Sequence, residues 1–364
     1  MTEGQYRGTG YAKLLLFGEH AAVYGYPAVG VALADKTTVA ISPGDGAEWT
    51  APDLDPAYRP YLHDLMTALE REIPRLWPDL DIRAVRGQIA VASTVPVAQG
   101  FGSSASLCVA LAEAALKTVH ATASSTPAGD KSASARQIWK LANRLERLFH
   151  GKPSGIDTGL ALHPGMSAFS FGSDELPDAT RLDGASFSLV TGAVPRTANT
   201  REQIAAIAQR VQQQDRLTLK LLADLGAIAA EAIALLPRVT NAEAVRELGA
   251  MADRAHAALT ELGLETPQLA HCLAVCRERG TVGGKLSGAG GGGAFYALFT
   301  DEESAVGAAD TLVERAVLDA AALRVVTIRD GLCRAPDTSH FSAVVSEPDG
   351  KPSVGNRQVA DRTG

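Results

Sequence analysis

The sequence predicts a two-domain α/β protein, and three observations carry that prediction. The chain has 364 residues, more than one hydrophobic core usually organises. Strand-like stretches open each half, and helical periodicity fills the intervals between strands. A strand pattern, "GQIAVASTV" at 87–95, runs through a Gly/Ser-rich loop into an almost uninterrupted apolar helix, "PVAQGFGSSASLCVALAEAAL" at 96–116. With 46% hydrophobic and 21% charged residues, the composition is that of an ordinary globular protein.

Taken in order, "YAKLLLFG", "PAVGVAL" and "TTVAIS" are expected as three early strands, and "YRPYLHDLMTALEREIPRLW" at 58–77 as a helix. Residues 121–134 are small and polar and predict a surface loop. In the next helix Ile138, Leu141, Leu145, Leu148 and Phe149 share one face, and Lys140, Arg144 and Arg147 the other. Glu146 sits at the edge of the apolar stripe, away from the bases that would suit a solvated acid. Gly151 and Pro153 end this helix. "ASFSLVTGAV" at 185–194 predicts a strand opening the second domain; helices follow over 201–280. "GGGAFYALFT" at 291–300 and "RVVTIRDGLC" at 324–333 return to strand. From Pro336 the chain lacks periodicity and is expected to be partly disordered. The predicted organisation is therefore 1–183, 184–334 and a polar tail at 335–364.

A net charge of −7, with no long Lys/Arg block, argues against a nucleic-acid partner, so any anionic ligand needs a local site. No apolar run suits a membrane span, and the N-terminus lacks a signal pattern, which predicts a cytoplasmic protein. Four scattered cysteines make no disulfide framework, and Cys272 and Cys276, one helical turn apart, are expected to pack in the core.

Three glycine-rich segments stand out: "KLLLFGEHAAVYGYPAV" at 13–29, "PVAQGFGSSAS" at 96–106 and "KLSGAGGGGAF" at 285–295. The second has the strand–loop–helix context of a phosphate cradle, because the first N–H groups of a helix lack partners and carry the positive end of its dipole. The alternative is a loop in which Ser103 merely caps a helix. Gly288, Gly290 and Gly293 match G-x-G-x-x-G, but a strand follows where a dinucleotide fold needs a helix. "HGKP" fails as a Walker A segment because proline replaces the hydroxyl residue.

In this order the three segments resemble the three motifs of the GHMP kinase superfamily, and within it the mevalonate kinase family is the nearest match. "ERLFHGKPSGIDT" resembles that family's Glu-Arg-x-x-His-Gly-x-Pro-Ser-Gly-x-Asp signature, and "VPRTANT" its Val-Pro-Arg and Thr elements. The likeness spans about residues 8–334. It implies an N-terminal domain with a left-handed βαβ phosphate-binding unit, against the usual handedness rule, and a ferredoxin-like α+β C-terminal domain. It also implies ATP and Mg²⁺ as cofactors, a small-molecule acceptor (mevalonate, or phosphomevalonate or a sugar in a sister kinase) and a homodimer.

Residue by residue, the resemblance places ATP on Gly100, Phe101, Gly102, Ser103, Ser104 and Ala105, and on Gly288, Ala289, Gly290 and Gly291. It gives Mg²⁺ to Ser104 and Glu146, an oxygen-only pair that suits this ion. Asp157 would accept or orient the acceptor hydroxyl, with Lys13 beside it keeping the carboxylate ionised. Glu19, His20 and either Thr197 or Thr200 would contact the acceptor. Two departures are visible. Phe101 stands where the family usually has leucine, and "VPRTANT" is two residues longer than the common spacing, so both threonines stay open. A non-catalytic metabolite-binding regulator is the rival reading, and the joint presence of Lys13, Glu146 and Asp157 weighs against it.

Overall fold

In the computed structural model, which describes residues 4–122, 133–197 and 200–334, the chain builds two five-stranded sheets in succession. The first comprises β1 (Tyr6–Phe17), β2 (Ala28–Pro43), β3 (Gly87–Ser93), β4 (Met166–Ser170) and β5 (Asp178–Leu182), and α1 (Arg59–Leu76) lies between β2 and β3 in sequence. Both β3 and β4 pair antiparallel with the edge of β2 that β1 leaves open, so they run in the same direction. Three helices cross between them: α2 (Ser103–Thr122), α3 (Ala135–His150) and α4 (Ile156–Leu162).

The stretches expected as separate strands, "PAVGVAL" and "TTVAIS", are one strand, β2. The polar interruption at Asp35 and Lys36 is not a turn. It lies at a bulge in β2: between the Tyr11–Lys36 and Lys13–Ala32 pairs, β1 passes through Ala12 alone while β2 passes through Leu33, Ala34 and Asp35, and the ladder continues on both sides. Such bulges re-aim the side chains beside them, and here the neighbouring residue of β1 is Lys13, 4% exposed.

Helix α2 is Ala-rich and buried on most faces, pressed against β1 on one side and α3 on another. Close approach explains the glycine in β1: a Cβ on Gly10 would overlap the Ser106 carbonyl oxygen of α2. Gly10→Ala is therefore expected to lower stability by about 3 kcal/mol, the upper end of overpacking effects, read from the urea midpoint. An unchanged midpoint would mean that β1 and α2 are not in this contact.

Helix α3 opens on a capping box between Ser134 and Gln137 and ends at Gly151, as its sequence predicts. One expectation fails: Leu148 is 41% exposed and not part of the apolar face. The turn it occupies lies at the helix end, where Phe149 takes the inward position and is partly buried against the core.

The second sheet begins after a short link with β6 (Phe187–Val194). Helices α5 (Thr200–Gln212), α6 (Arg216–Leu235), α7 (Ala242–Glu261) and α8 (Pro267–Glu278) precede β7 (Gly283–Leu286) and β8 (Gly293–Phe299); α9 (Glu302–Glu314), β9 (Leu323–Arg329) and β10 (Leu332–Arg334) complete it. The antiparallel order β10-β9-β6-β8-β7 contains the four-strand arrangement of a ferredoxin-like fold. Cys272 and Cys276 are fully buried in α8, and burial pushes both thiols up to about 12.

The two sheets share one apolar core: Leu14 and Leu16 of β1 belong to the same buried cluster as Phe295 and Tyr296 of β8. Polar links cross the same seam, since Tyr296 Oη donates to the Leu16 carbonyl at 2.8 Å and Ser287 Oγ to that of Leu15 at 2.8 Å. Most of the expected loop at 121–134 and the tail from 335 lie outside the described residues. Among the described residues no helix is long and apolar enough to cross a membrane.

Candidate active site

The three glycine-rich segments converge on one cavity of 280 Å³ at the seam between the sheets. A larger one, 790 Å³, lies between α1, β3 and the loop at 47–52, and none of the glycine-segment residues reaches it.

The middle segment lines the cavity with Gly100, Gly102, Ser103 and Ser104. Gly100 and Gly102 have positive φ, and α2 starts directly afterwards at Ser103. The loop is pinned to β1 by the Lys13 N–H, which donates to the Phe101 carbonyl at 2.9 Å. Phe101 itself is buried, so the departure from leucine is absorbed by packing. Gly102 admits the Lys13 stem, because a Cβ there would lie 2.7 Å from Lys13 Cγ. The helix N-terminus and the lysine thus arrive side by side.

Lys13 Nζ reaches Asp157 Oδ1 at 3.1 Å. Asp157 sits in the first turn of α4, where the helix dipole favours a negative charge, and its side chain is 39% exposed. Burial acts to raise its pKa, but Lys13, helped by His150, holds the carboxyl below its ordinary value. An ionised acceptor of hydrogen bonds therefore stands next to a cation at the open end of the cavity.

Glu146, 1% exposed, projects from α3 toward the start of α2. Its Oε1 accepts from Ser104 Oγ at 2.7 Å and lies 3.2 Å from His150 Nε2, while Oε2 is buried without a hydrogen-bond partner. The contact with Glu146 draws the His150 pKa upward. An unsatisfied buried carboxylate oxygen beside a serine hydroxyl is a donor set suited to a hard cation, whose remaining ligands would be phosphate and water. Among the described residues no group of three or more His, Cys, Asp or Glu side chains forms a self-sufficient metal site.

The turn after β1 carries Glu19 and His20. His20 has φ +58°, a conformation uncommon for a non-glycine residue, and its Nε2 lies 2.9 Å from the Ala289 carbonyl in the third segment. Glu19 lines the cavity but is only 2% exposed, and its Oε1 pairs with Lys285 Nζ instead of standing free for a substrate. Lys285 is fully buried between the Phe17 and Tyr296 rings, 5.9 and 5.5 Å from their centroids. Burial pushes the Glu19 carboxyl up and the Lys285 ammonium down.

The third segment turns between β7 and β8 through left-handed glycines at 288 and 290–293. Thr197 is tied to it, its N–H donating to the Gly291 carbonyl at 2.8 Å. Thr200 opens α5, with a side chain outside the described set. Sequence reasoning missed four cavity or wall residues: Asn143, His150, Lys152 and Lys285. The signal for Lys285 was present, a charged residue inside an otherwise apolar strand just before the glycine run.

The chain matches the GHMP kinases N terminal domain over residues 61–165 and the GHMP kinases C terminal domain over residues 219–317. It is a GHMP kinase. The mevalonate kinase of Pyrococcus abyssi is 27% identical over 316 residues, 82% of this GHMP kinase and 90% of that protein. The crystal structure of L. major mevalonate kinase in complex with R-mevalonate superposes with a TM-score of 0.72 at 20% identity, covering 90% of this chain and 96% of that one. Lactococcus lactis galactokinase complexed with galactose gives 0.67 at 14% identity, over 91% and 95%. The GHMP fold is thus common to relatives whose acceptors differ.

Proposed function

We propose that this GHMP kinase transfers the γ-phosphoryl of ATP to the primary hydroxyl of (R)-mevalonate. The observation that carries the reading is the Lys13–Asp157 pair, set at 3.1 Å beside the phosphate loop in one cavity. Curated relatives named mevalonate kinase, matched over 82% of this chain, support the choice of acceptor.

In this reading the backbone N–H groups from Gly100 to Ala105 hold the triphosphate at the α2 N-terminus, and the glycines at 288–291 close over it. Ser104 and Glu146 hold Mg²⁺; when bound, the ion neutralises phosphate charge and orients the transferring group. Asp157 accepts a hydrogen bond from the acceptor hydroxyl. As the new P–O bond forms and the bond to the β-phosphate oxygen breaks, the hydroxyl proton passes to Asp157. A carboxylate held below its ordinary pKa is a weak base, so the proton moves late, after the attacking oxygen has become acidic. Lys13 stabilises the charge developing on the transferring phosphoryl. His20 faces the acceptor, Glu19 stands behind it in its pair with Lys285, one of Thr197 and Thr200 supplies the threonine contact, and the protein works in the cytoplasm.

Discrimination against phosphomevalonate does not come from two bare carboxylates, because Asp157 and Glu19 are each paired with a lysine. It comes from the small number of bases for a second dianion: among the described residues the cavity offers Arg196 and Lys152 besides the residues already assigned. ADP release measured across a panel of acceptors is expected to give mevalonate a kcat/KM at least about tenfold above phosphomevalonate, galactose or homoserine, about 1.4 kcal/mol. A panel in which any of the three equals mevalonate overturns the acceptor while leaving the kinase intact.

A further inference from the structure

Helix α3 itself carries two unsatisfied oxygens on residues that line the cavity. Asn143 lies one turn before Glu146, so the two side chains share a helix face. Both line the cavity with Ser104. Asn143 is 2% exposed, and its Oδ1, like Glu146 Oε2, is buried without a hydrogen-bond partner. A buried acceptor left unpaired is destabilising by more than a made hydrogen bond contributes. Two of them on adjacent turns of one helix, facing one cavity, need a common donor or cation.

Phosphate oxygens are acceptors themselves and repel the amide oxygen as it stands. With the amide turned over, Nδ2 would donate to them instead, a role in which a carboxylate at residue 143 would weaken nucleotide binding. A divalent cation between the phosphates and α3 satisfies both side chains together. Mg²⁺ takes six oxygen ligands, and a serine hydroxyl, one carboxylate and two phosphate oxygens leave about two positions open.

Resting on the metal reading above, we infer that Asn143 is a further residue of the divalent-cation site, its Oδ1 an additional oxygen of the cation's shell. Asn143 then raises the affinity for metal–nucleotide without adding charge. A carboxylate there would bring a second negative charge to the cation and hold it more tightly.

The test is a binding measurement that needs no turnover. The affinity for adenylyl imidodiphosphate is measured calorimetrically with and without Mg²⁺, and the ratio of the two Kd values reports how far the metal assists binding. Asn143→Ala is expected to lower this ratio on the order of tenfold. Asn143→Asp is expected to raise it above the parent, an opposite sign that a purely structural asparagine would not produce. Glu146→Gln is the control and is expected to lower the ratio. If Glu146→Gln lowers it while Asn143→Ala stays within twofold of the parent, Asn143 is not in the shell and the metal site stands. If neither variant lowers it, the metal reading fails and this inference with it. Should Asn143→Ala not fold, as judged by circular dichroism, Asn143→Asp decides: a ratio at or below the parent's overturns the assignment.

Discussion

Asp157→Asn is expected to fold and to lose phosphoryl transfer by about 10²–10⁴ in kcat, the range of a general base, or about 3–5 kcal/mol of barrier. The amide is nearly the same size, and the site tolerates it sterically because Asp157 is 39% exposed. What it removes is specific. The amide cannot take the hydroxyl proton, and it presents no charge to Lys13 at 3.1 Å. Nucleotide binding should change little, since the phosphate loop and α2 are built from other residues. The measurement is kcat and KM for each substrate with an unfolding midpoint alongside. Turnover within threefold of the parent would make Asp157 an ordinary first-turn acid of α4.

Lys13→Met is expected to lower kcat by about 10²–10³, as for loss of a preorganised electrostatic partner of the transition state, and also to move the pH profile. In the parent, burial acts to raise the Asp157 pKa, and the Lys13 charge holds it below the ordinary carboxylate value. Activity that needs the ionised carboxylate is then retained down to that low pKa. Without Lys13 the burial effect is opposed chiefly by His150, so the pKa rises and the acid-side loss of kcat/KM moves to higher pH. The methionine fills the channel beside Gly102 that the lysine stem occupies, where Cγ would stand 2.7 Å from a Cβ at residue 102. A profile of kcat/KM against pH separates the outcomes: a uniform loss with an unmoved acid limb would mean that Lys13 does not set the charge of Asp157.

Two features of the site were legible in local patterns: the glycine turn before a helix at the phosphate loop, and Glu146, an acid out of place on an amphipathic helix. The roles given to Ser104, Asp157 and Lys13 came from the family resemblance, because a serine at a helix start, an acid in a turn and a lysine in a strand carry no local signal of chemistry. The elements that went astray depend on distant partners. "PAVGVAL" and "TTVAIS" are one strand because β1 pairs with both across a bulge, and no local signal distinguishes a bulge from a turn. Leu148 fits the apolar stripe by spacing, but in the last turn Phe149 takes the inward position and leaves Leu148 exposed.

By itself, then, the sequence determined what is local and periodic: two α/β halves, most of the helix and strand order, and the three glycine-rich turns. Tertiary structure alone decided which side chains meet and in what state of charge. Glu19 offered itself in the chain as a polar contact for a substrate, yet a lysine 266 positions away takes one of its oxygens in a dry seam between the sheets. Asn143 drew no notice in the chain, yet its oxygen is buried without a hydrogen-bond partner, one helical turn from Glu146. The physical reason is the same in both cases. Burial and pairing are properties of three-dimensional neighbours, and they set the charge and hydrogen-bonding demand of a side chain more strongly than its identity or its place in a local pattern.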